Sequence, residues 1–137
     1  QAFERLLMRT LDEISGRGVH VTILGPVPEL PMNLTSAVLK ARMRGVTLEP
    51  SYDFAAFERR QARVMATLAR LAEKPGVAVV QPHDVLCPGR VCQLVENGDP
   101  LYRDDNHLNH LGAAKLRGLL ARILGATGAA EATPRRP

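Results

Sequence analysis

The residues with the most chemical reach lie in one short stretch, Leu101-Tyr102-Arg103-Asp104-Asp105-Asn106-His107-Leu108-Asn109-His110-Leu111-Gly112. Asp104 and His107 are three apart, and a helical pattern of apolar residues begins just after them. In one tight turn that spacing lets a carboxylate and an imidazole project to the same side. A carboxylate so placed can fix the tautomer of a histidine acting as general base for a hydroxyl nucleophile. The pair is weak on its own, because an acidic residue ahead of a helix is also an ordinary N-cap. The competing use of the region is a metal site drawn from His83, Asp104, His107 and His110. His20 and His83 fall in or after apolar strands and read as structural histidines.

A second pair is Cys87-Pro-Gly-Arg-Val-Cys92. Zinc sites usually need four ligands, and no second cysteine pair exists. A reactive thiol needs an electropositive setting, for which Arg90 alone is weak support. Pro88-Gly89 can fold the loop back so that the two sulfurs meet. A disulfide is the favoured reading, with two free thiols or a metal as alternatives, and it implies an oxidising compartment.

The elements that must position these groups follow from periodicity and from helix punctuation. Phe3, Leu6, Leu7, Leu11 and Ile14 repeat at helical spacing until Gly16 and Gly18. Val19 to Leu24 reads as a buried strand ended by Gly25-Pro26, and Val27 to Pro31 is extended because prolines forbid helix. Asn33 to Arg44 forms a short helix closed by Gly45. A longer helix starts at the N-cap Asp53, turns Phe54, Phe57, Val64, Leu68 and Leu71 inward, and ends at Lys74-Pro75-Gly76. The strand Val77 to Val80 follows. Residues 81–108 are a long irregular segment, a kind that is usually functional. Asn109 caps the last helix, which runs to Gly125, and residues 126–137 form a flexible tail. Both strands are continuous apolar runs, as in central parallel strands covered on both faces.

The chain has 137 residues, 45% of them hydrophobic and 23% charged, which is one globular domain with an aliphatic core. Three Phe, two Tyr and no Trp leave little for aromatic platforms that bind single-stranded nucleic acid. The net charge of +4 is spread thinly, and clusters such as Arg59-Arg60-Arg63 are interrupted by acidic or apolar positions. No nucleic acid is expected as a partner. No apolar run approaches the roughly 18 residues of a membrane span, and Gln1 opens no signal-peptide pattern, so the chain reads as a piece of something larger.

The Asp104-to-Gly112 stretch resembles the last sequence block of the SGNH (GDSL-type) hydrolases, whose Asp-x-x-His sits just ahead of the C-terminal helix. The closer likeness is to the SGNH domain fused behind membrane-bound acyltransferase-3 domains. It rests on Gly25-Pro26-Val27-Pro28-Glu29 after a strand, then Pro82, Leu86-Cys87 and Cys92, then Gly98-Asp99-Pro100-Leu101-Tyr102, and finally Asp104, His107, Leu108, Gly112 and Ala113. These run in order over residues 3 to 124. Asn109 stands where the family usually has a small hydroxyl residue, and as another helix cap it should leave the chemistry undisturbed.

The resemblance implies a three-layer α/β/α, flavodoxin-like fold, of which residues 1–125 are expected to be the C-terminal part. It implies a Ser-His-Asp triad with His107 as base and Asp104 as its orienter, and neither metal nor cofactor. The family's nucleophile lies in a Gly-Asp-Ser block and its oxyanion donors in a Gly and an Asn of later blocks. Ser15, Ser36 and Ser51 match no such surroundings, so the nucleophile is expected outside this chain and the isolated chain is expected to be inactive. The parent is expected to be a bacterial envelope O-acyltransferase or esterase acting on acyl groups, commonly acetyl, of cell-surface glycans such as lipopolysaccharide. Its partners would be an acyl donor, a glycan acceptor and the membrane acyltransferase domain of the same chain, at the periplasmic face of the inner membrane. Unpaired strand edges also allow a homo-oligomer of the fragment. The alternatives are a non-catalytic periplasmic interaction or glycan-binding module, and a hydrolase using Cys87 or Cys92.

Overall fold

A computed structural model describes residues 2–130. Helix α1 (Ala2–Ser15) leads into strand β1 (Val21–Leu24), and helix α2 (Leu34–Met43) follows the extended proline segment. Strand β2 (Ser51–Asp53) runs directly into α3 (Phe54–Ala72), which leads to β3 (Val77–Val80). Next come α4 (His83–Leu86), a 3-10 turn at Pro88–Arg90, and strands β4 (Val91–Gln93), β5 (Val95–Glu96) and β6 (Asp99–Pro100). Helices α5 (His110–Lys115) and α6 (Arg117–Ala130) close the described chain.

The class is α/β, as the sequence implies. β1 and β3 pair in parallel, with Val21 opposite Val77 and Ile23 opposite Val79. Alternation along the strands sends those four side chains to one face. There α1 and α3 meet them through Leu7, Leu11, Leu68 and Leu71. The opposite face differs from the expectation of strands covered on both sides: Thr22, Leu24 and Ala78 are exposed. Val64 also departs from its expected place in the core and is 45% exposed, one position off the inward stripe of α3.

Residues 81–108 hold more order than their composition implies. β2 pairs antiparallel with β4, placing Tyr52 opposite Cys92. β5 and β6 form a hairpin around Asn97 at φ 52° and Gly98 at φ 80°, the left-handed pair that a two-residue turn requires. A disulfide joins Cys87 to Cys92. Both cysteines are buried in the larger core with Leu30, Leu34, Phe57, Leu101 and Tyr102. The last helix departs from its expected course twice. It is broken at Leu116 into α5 and α6, and α6 continues past Gly125 to Ala130. Of the expected tail, residues 131–137 lie outside the described residues. No helix among the described residues is long and apolar enough to cross a membrane.

Candidate active site

The turn between Tyr102 and Asn109 is closed by main-chain bonds. Tyr102 and Leu108 form an antiparallel bridge. The Arg103 N–H donates to the His107 carbonyl at 2.8 Å, and the Asn109 N–H to the Leu101 carbonyl at 3.0 Å. Inside this frame the Asp104 carboxylate Oδ1 accepts the backbone N–H groups of Asn106 at 3.0 Å and His107 at 2.7 Å. Such local side-chain bonds are why Asp favours turns over helix interiors. The same carboxylate meets the imidazole: His107 Nδ1 lies 2.9 Å from Oδ2 and 3.1 Å from Oδ1.

The electrostatics follow from those donors. The Asn106 N–H, above all, and the N–H and ring of His107 hold the Asp104 carboxyl down to about 2, against an opposing contribution from burial. Asp104 is therefore ionised and can only accept. Facing it, the imidazole Nδ1 is placed to donate its N–H, which in a neutral ring puts the lone pair on Nε2; the side chain is 61% exposed. The pair can take a proton from a hydroxyl brought to Nε2. Arg103 adds a loose charge, its Nη2 3.5 Å from Asp104 Oδ2.

The turn is held from outside by residues that no motif marks. The Leu30 N–H donates to the Asp105 carbonyl at 2.7 Å and the Leu34 N–H to the Asp104 carbonyl at 3.2 Å. Thr35 Oγ1 donates to the Tyr102 carbonyl at 2.6 Å. The start of α2, capped by Asn33, thus serves the turn as a bracket. Nothing local distinguishes Thr35 from any helix threonine, so only the three-dimensional structure finds it. On the other flank Asn109 caps α5 by accepting from Leu111 and Gly112, and its Nδ2 donates to the Pro100 carbonyl at 2.7 Å. Gly112 comes so close that a Cβ there would stand 2.2 Å from the Leu101 carbonyl oxygen. Tyr102, fully buried, packs beneath; burial pushes its phenol upward and keeps it neutral.

The remaining candidates fall elsewhere. His110 opens α5 on an exposed position, and His20 is exposed ahead of β1, so it is not the enclosed histidine its surroundings imply. His83 is buried on α4 against Phe54 and Phe57, with ring centroids 4.8 and 5.5 Å away. Its Nδ1 has no partner, which departs from the expected satisfied core histidine. Burial lowers its pKa, opposed by the charges of Asp84 and Glu58. His83, Asp104, His107 and His110 are not gathered as one ligand set. The disulfide leaves no free thiol for a cysteine nucleophile. Glu29, from the Pro-Val-Pro-Glu run, anchors that segment to α3 through both oxygens on Arg60 and a bond from Gln61.

None of the serines is joined to the imidazole. Ser15 ends α1 with its hydroxyl buried and unpartnered, Ser36 lies in the first turn of α2, and Ser51 opens β2 opposite Gln93. Among the described residues no hydrogen bond connects a serine hydroxyl to His107.

Compared with known families, the model of the SGNH domain (fused to AT3 domains) matches residues 1–122. Comparison with curated proteins gives no match. Comparison with solved structures gives none either.

Proposed function

The chain belongs to the SGNH domains fused to AT3 domains, and from that premise we propose that it carries the base and orienter of an acyl-transfer triad. Membership supports an acyltransferase- or esterase-related role in a membrane-anchored parent. The observation that carries the finer reading is the His107–Asp104 pair, Nδ1 to Oδ2 at 2.9 Å, on a histidine whose side chain is largely exposed.

In this reading a serine supplied by the parent outside these 137 residues loses its proton to His107 Nε2 as its Oγ bonds to the acyl carbon. Asp104 holds the ring and stabilises the imidazolium. The tetrahedral intermediate expels its alcohol, which takes the proton from His107, and an acyl-serine is left. An acceptor hydroxyl of a cell-surface glycan, or water, then gives its proton to Nε2 as its oxygen bonds to the acyl carbon, and the serine leaves with its Oγ taking that proton back from His107. Oxyanion donors would come from the same outside segment as the serine.

The test is hydrolysis of a small acetyl ester by the full parent protein. His107→Ala is expected to abolish turnover with the fold intact, whereas His110→Ala is expected to be mild. The isolated chain is expected to be inactive. Damage from His110→Ala but not His107→Ala overturns the role assignment. Turnover by the isolated chain that is abolished by Ser36→Ala or Ser51→Ala overturns the outside nucleophile.

A further inference from the structure

Helix α2 carries apolar side chains on two faces, and the protein buries only one of them. Leu34 and Val38 are 0% and 3% exposed in the core, while Leu39 is 57% and Met43 79% exposed on the outside. Leu39 and Met43 are four apart, so they stand one above the other on the helix surface. Val46, 53% exposed, continues the stripe just past the helix end, where its N–H and that of Gly45 bond to the Ala41 and Arg42 carbonyls. Single exposed apolar residues are ordinary, but a row of them on one short element marks a contact surface.

The charges beside the row say which surface. Lys40 and Arg44 are also four apart, each next to a member of the stripe, and both are exposed. From Leu34 to Arg44 there is no Asp or Glu, and Glu49 is the first acid after the stripe. Arg42 does not compete, because its guanidinium is held by Asp99 and the Gly98 carbonyl. Apolar side chains flanked by exposed cations on a segment without acids suit the boundary between acyl chains and anionic headgroups. A protein partner with a dry interface would instead need hydrogen-bonding groups around the apolar centre. A chain of this family is fused to a membrane domain, so a bilayer surface is within reach.

We propose that the Leu39–Met43–Val46 face of α2 rests on the anionic headgroup surface of the membrane that holds the parent. This contact is independent of the catalytic roles assigned above. Its consequence for the site is positional. The first turn of α2 brackets the Asp104–His107 turn through Leu34 and Thr35. Thr35 and Met43 are eight residues apart, about 12 Å along a helix. A membrane-seated α2 therefore fixes how far His107 stands from the bilayer and sets its orientation to the membrane domain.

The chain has no tryptophan, so Met43→Trp provides a single fluorescent reporter. With vesicles of phosphatidylglycerol and phosphatidylethanolamine its emission is expected to shift to the blue and to be quenched by brominated lipid. With phosphatidylcholine alone the change should be small. In flotation of the otherwise unaltered chain, Lys40→Glu/Arg44→Glu is expected to weaken binding about 30-fold. Leu39→Ser/Met43→Ser should weaken it about tenfold. Arg59→Glu/Arg63→Glu on α3 should leave it near the parent value, and thermal melts identify any variant that fails to fold. Equal binding to both vesicle types, no spectral change, or an equal loss from the α3 pair overturns the proposal. So does a dimer in solution that Leu39→Ser/Met43→Ser dissociates, since a second copy would then own the face.

Discussion

His107 is tied to Asp104 twice, its ring Nδ1 standing 2.9 Å from Oδ2 and its own backbone N–H donating to Oδ1 at 2.7 Å. The carboxylate thus builds the turn and sets the tautomer of the ring the turn displays. Asp104→Asn separates the two. An amide oxygen can still accept from the backbone N–H groups, but the amide nitrogen would face Nδ1 as a donor and drive the ring proton to Nε2. The expected result is a melting temperature within a few degrees of the parent value and loss of acetyl-ester turnover by about 10²–10⁴ in the full protein. Nitrogen NMR of the imidazole checks the cause, since an Nδ1–H tautomer persisting in Asp104→Asn would show that the carboxylate does not choose it.

The same bonds give a pH signature. Asp104 is held at about 2 against an ordinary 3.8, chiefly by the Asn106 N–H and then by His107. Its folded pKa is depressed, so its contribution to stability is complete above 3.8 and is lost as pH falls through about 2. The amide resonances of Asn106 and His107 should move together with a midpoint near 2, and urea unfolding should weaken between those two values. In Asp104→Asn both effects should disappear. A midpoint near 4 would mean that the turn is open in solution.

What could be read from the residues was whatever is decided locally. Asp53 and Asn109 cap α3 and α5 because a short acceptor before an apolar stripe satisfies free N–H groups wherever it occurs. The Asp-x-x-His turn is legible for the same reason, since both partners lie within four residues. Elements made by distant pairing were not. β2 exists because Ser51 to Asp53 meet Val91 to Gln93, and three residues have no period of their own. Thr35 and Leu30 carry no sequence signal as supports of the site because their bonds reach across the fold to Tyr102 and Asp105. Val19 to Leu24 shows the converse: an apolar run announces a strand, but not how many of its faces find a partner, and Thr22 and Leu24 stay exposed.

Gly112 and Gly118 should respond in opposite senses to alanine. Both sit in helices, where alanine is favoured by up to about 1 kcal/mol. At Gly118 a Cβ would meet nothing within 4 Å, so Gly118→Ala should raise stability by most of that amount. At Gly112 the new atom would stand 2.2 Å from the Leu101 carbonyl oxygen and 2.9 Å from Leu108 Cδ2. The Leu101 carbonyl also receives the Asn109 N–H, so it cannot retreat without loosening the Asp104–His107 turn. Gly112→Ala is expected to destabilise by roughly 1–3 kcal/mol in denaturant unfolding and to shift the His107 resonances. Equal responses at the two sites would refute the close approach.

Cys87 and Cys92 enclose only Pro88 to Val91, so their bond removes little freedom from the unfolded chain and should contribute about 2 kcal/mol. Non-reduced mass spectrometry should find a two-hydrogen deficit within residues 87–92. Because both side chains belong to the core, Cys92→Ala should be more damaging than reduction alone: it also leaves a gap beside Leu94 and Leu101. Two thiols that alkylate without denaturant would contradict both parts.

His83 offers a change that should improve the protein. Its ring packs at a tilt against Phe54 and Phe57, so its shape is useful there, while its Nδ1 is buried without a partner. Desolvation lowers its pKa from the ordinary 6.5, only partly offset by Asp84 and Glu58. For a histidine the sign is fixed by the unfolded chain, which binds the proton more readily. Stability is therefore complete above 6.5 and declines as pH falls below it toward the folded pKa. His83→Phe keeps a ring in contact with Phe54 and Phe57 and removes both the unpartnered nitrogen and the proton uptake. Loss of an unsatisfied polar atom is favourable when shape is conserved. The variant should be at least as stable as the parent at pH 7, and its unfolding free energy should be flatter between pH 6.5 and 5. If His83→Phe destabilises while His83→Gln does not, a polar contact in solution satisfies this ring, and the packing against Phe54 and Phe57 is secondary.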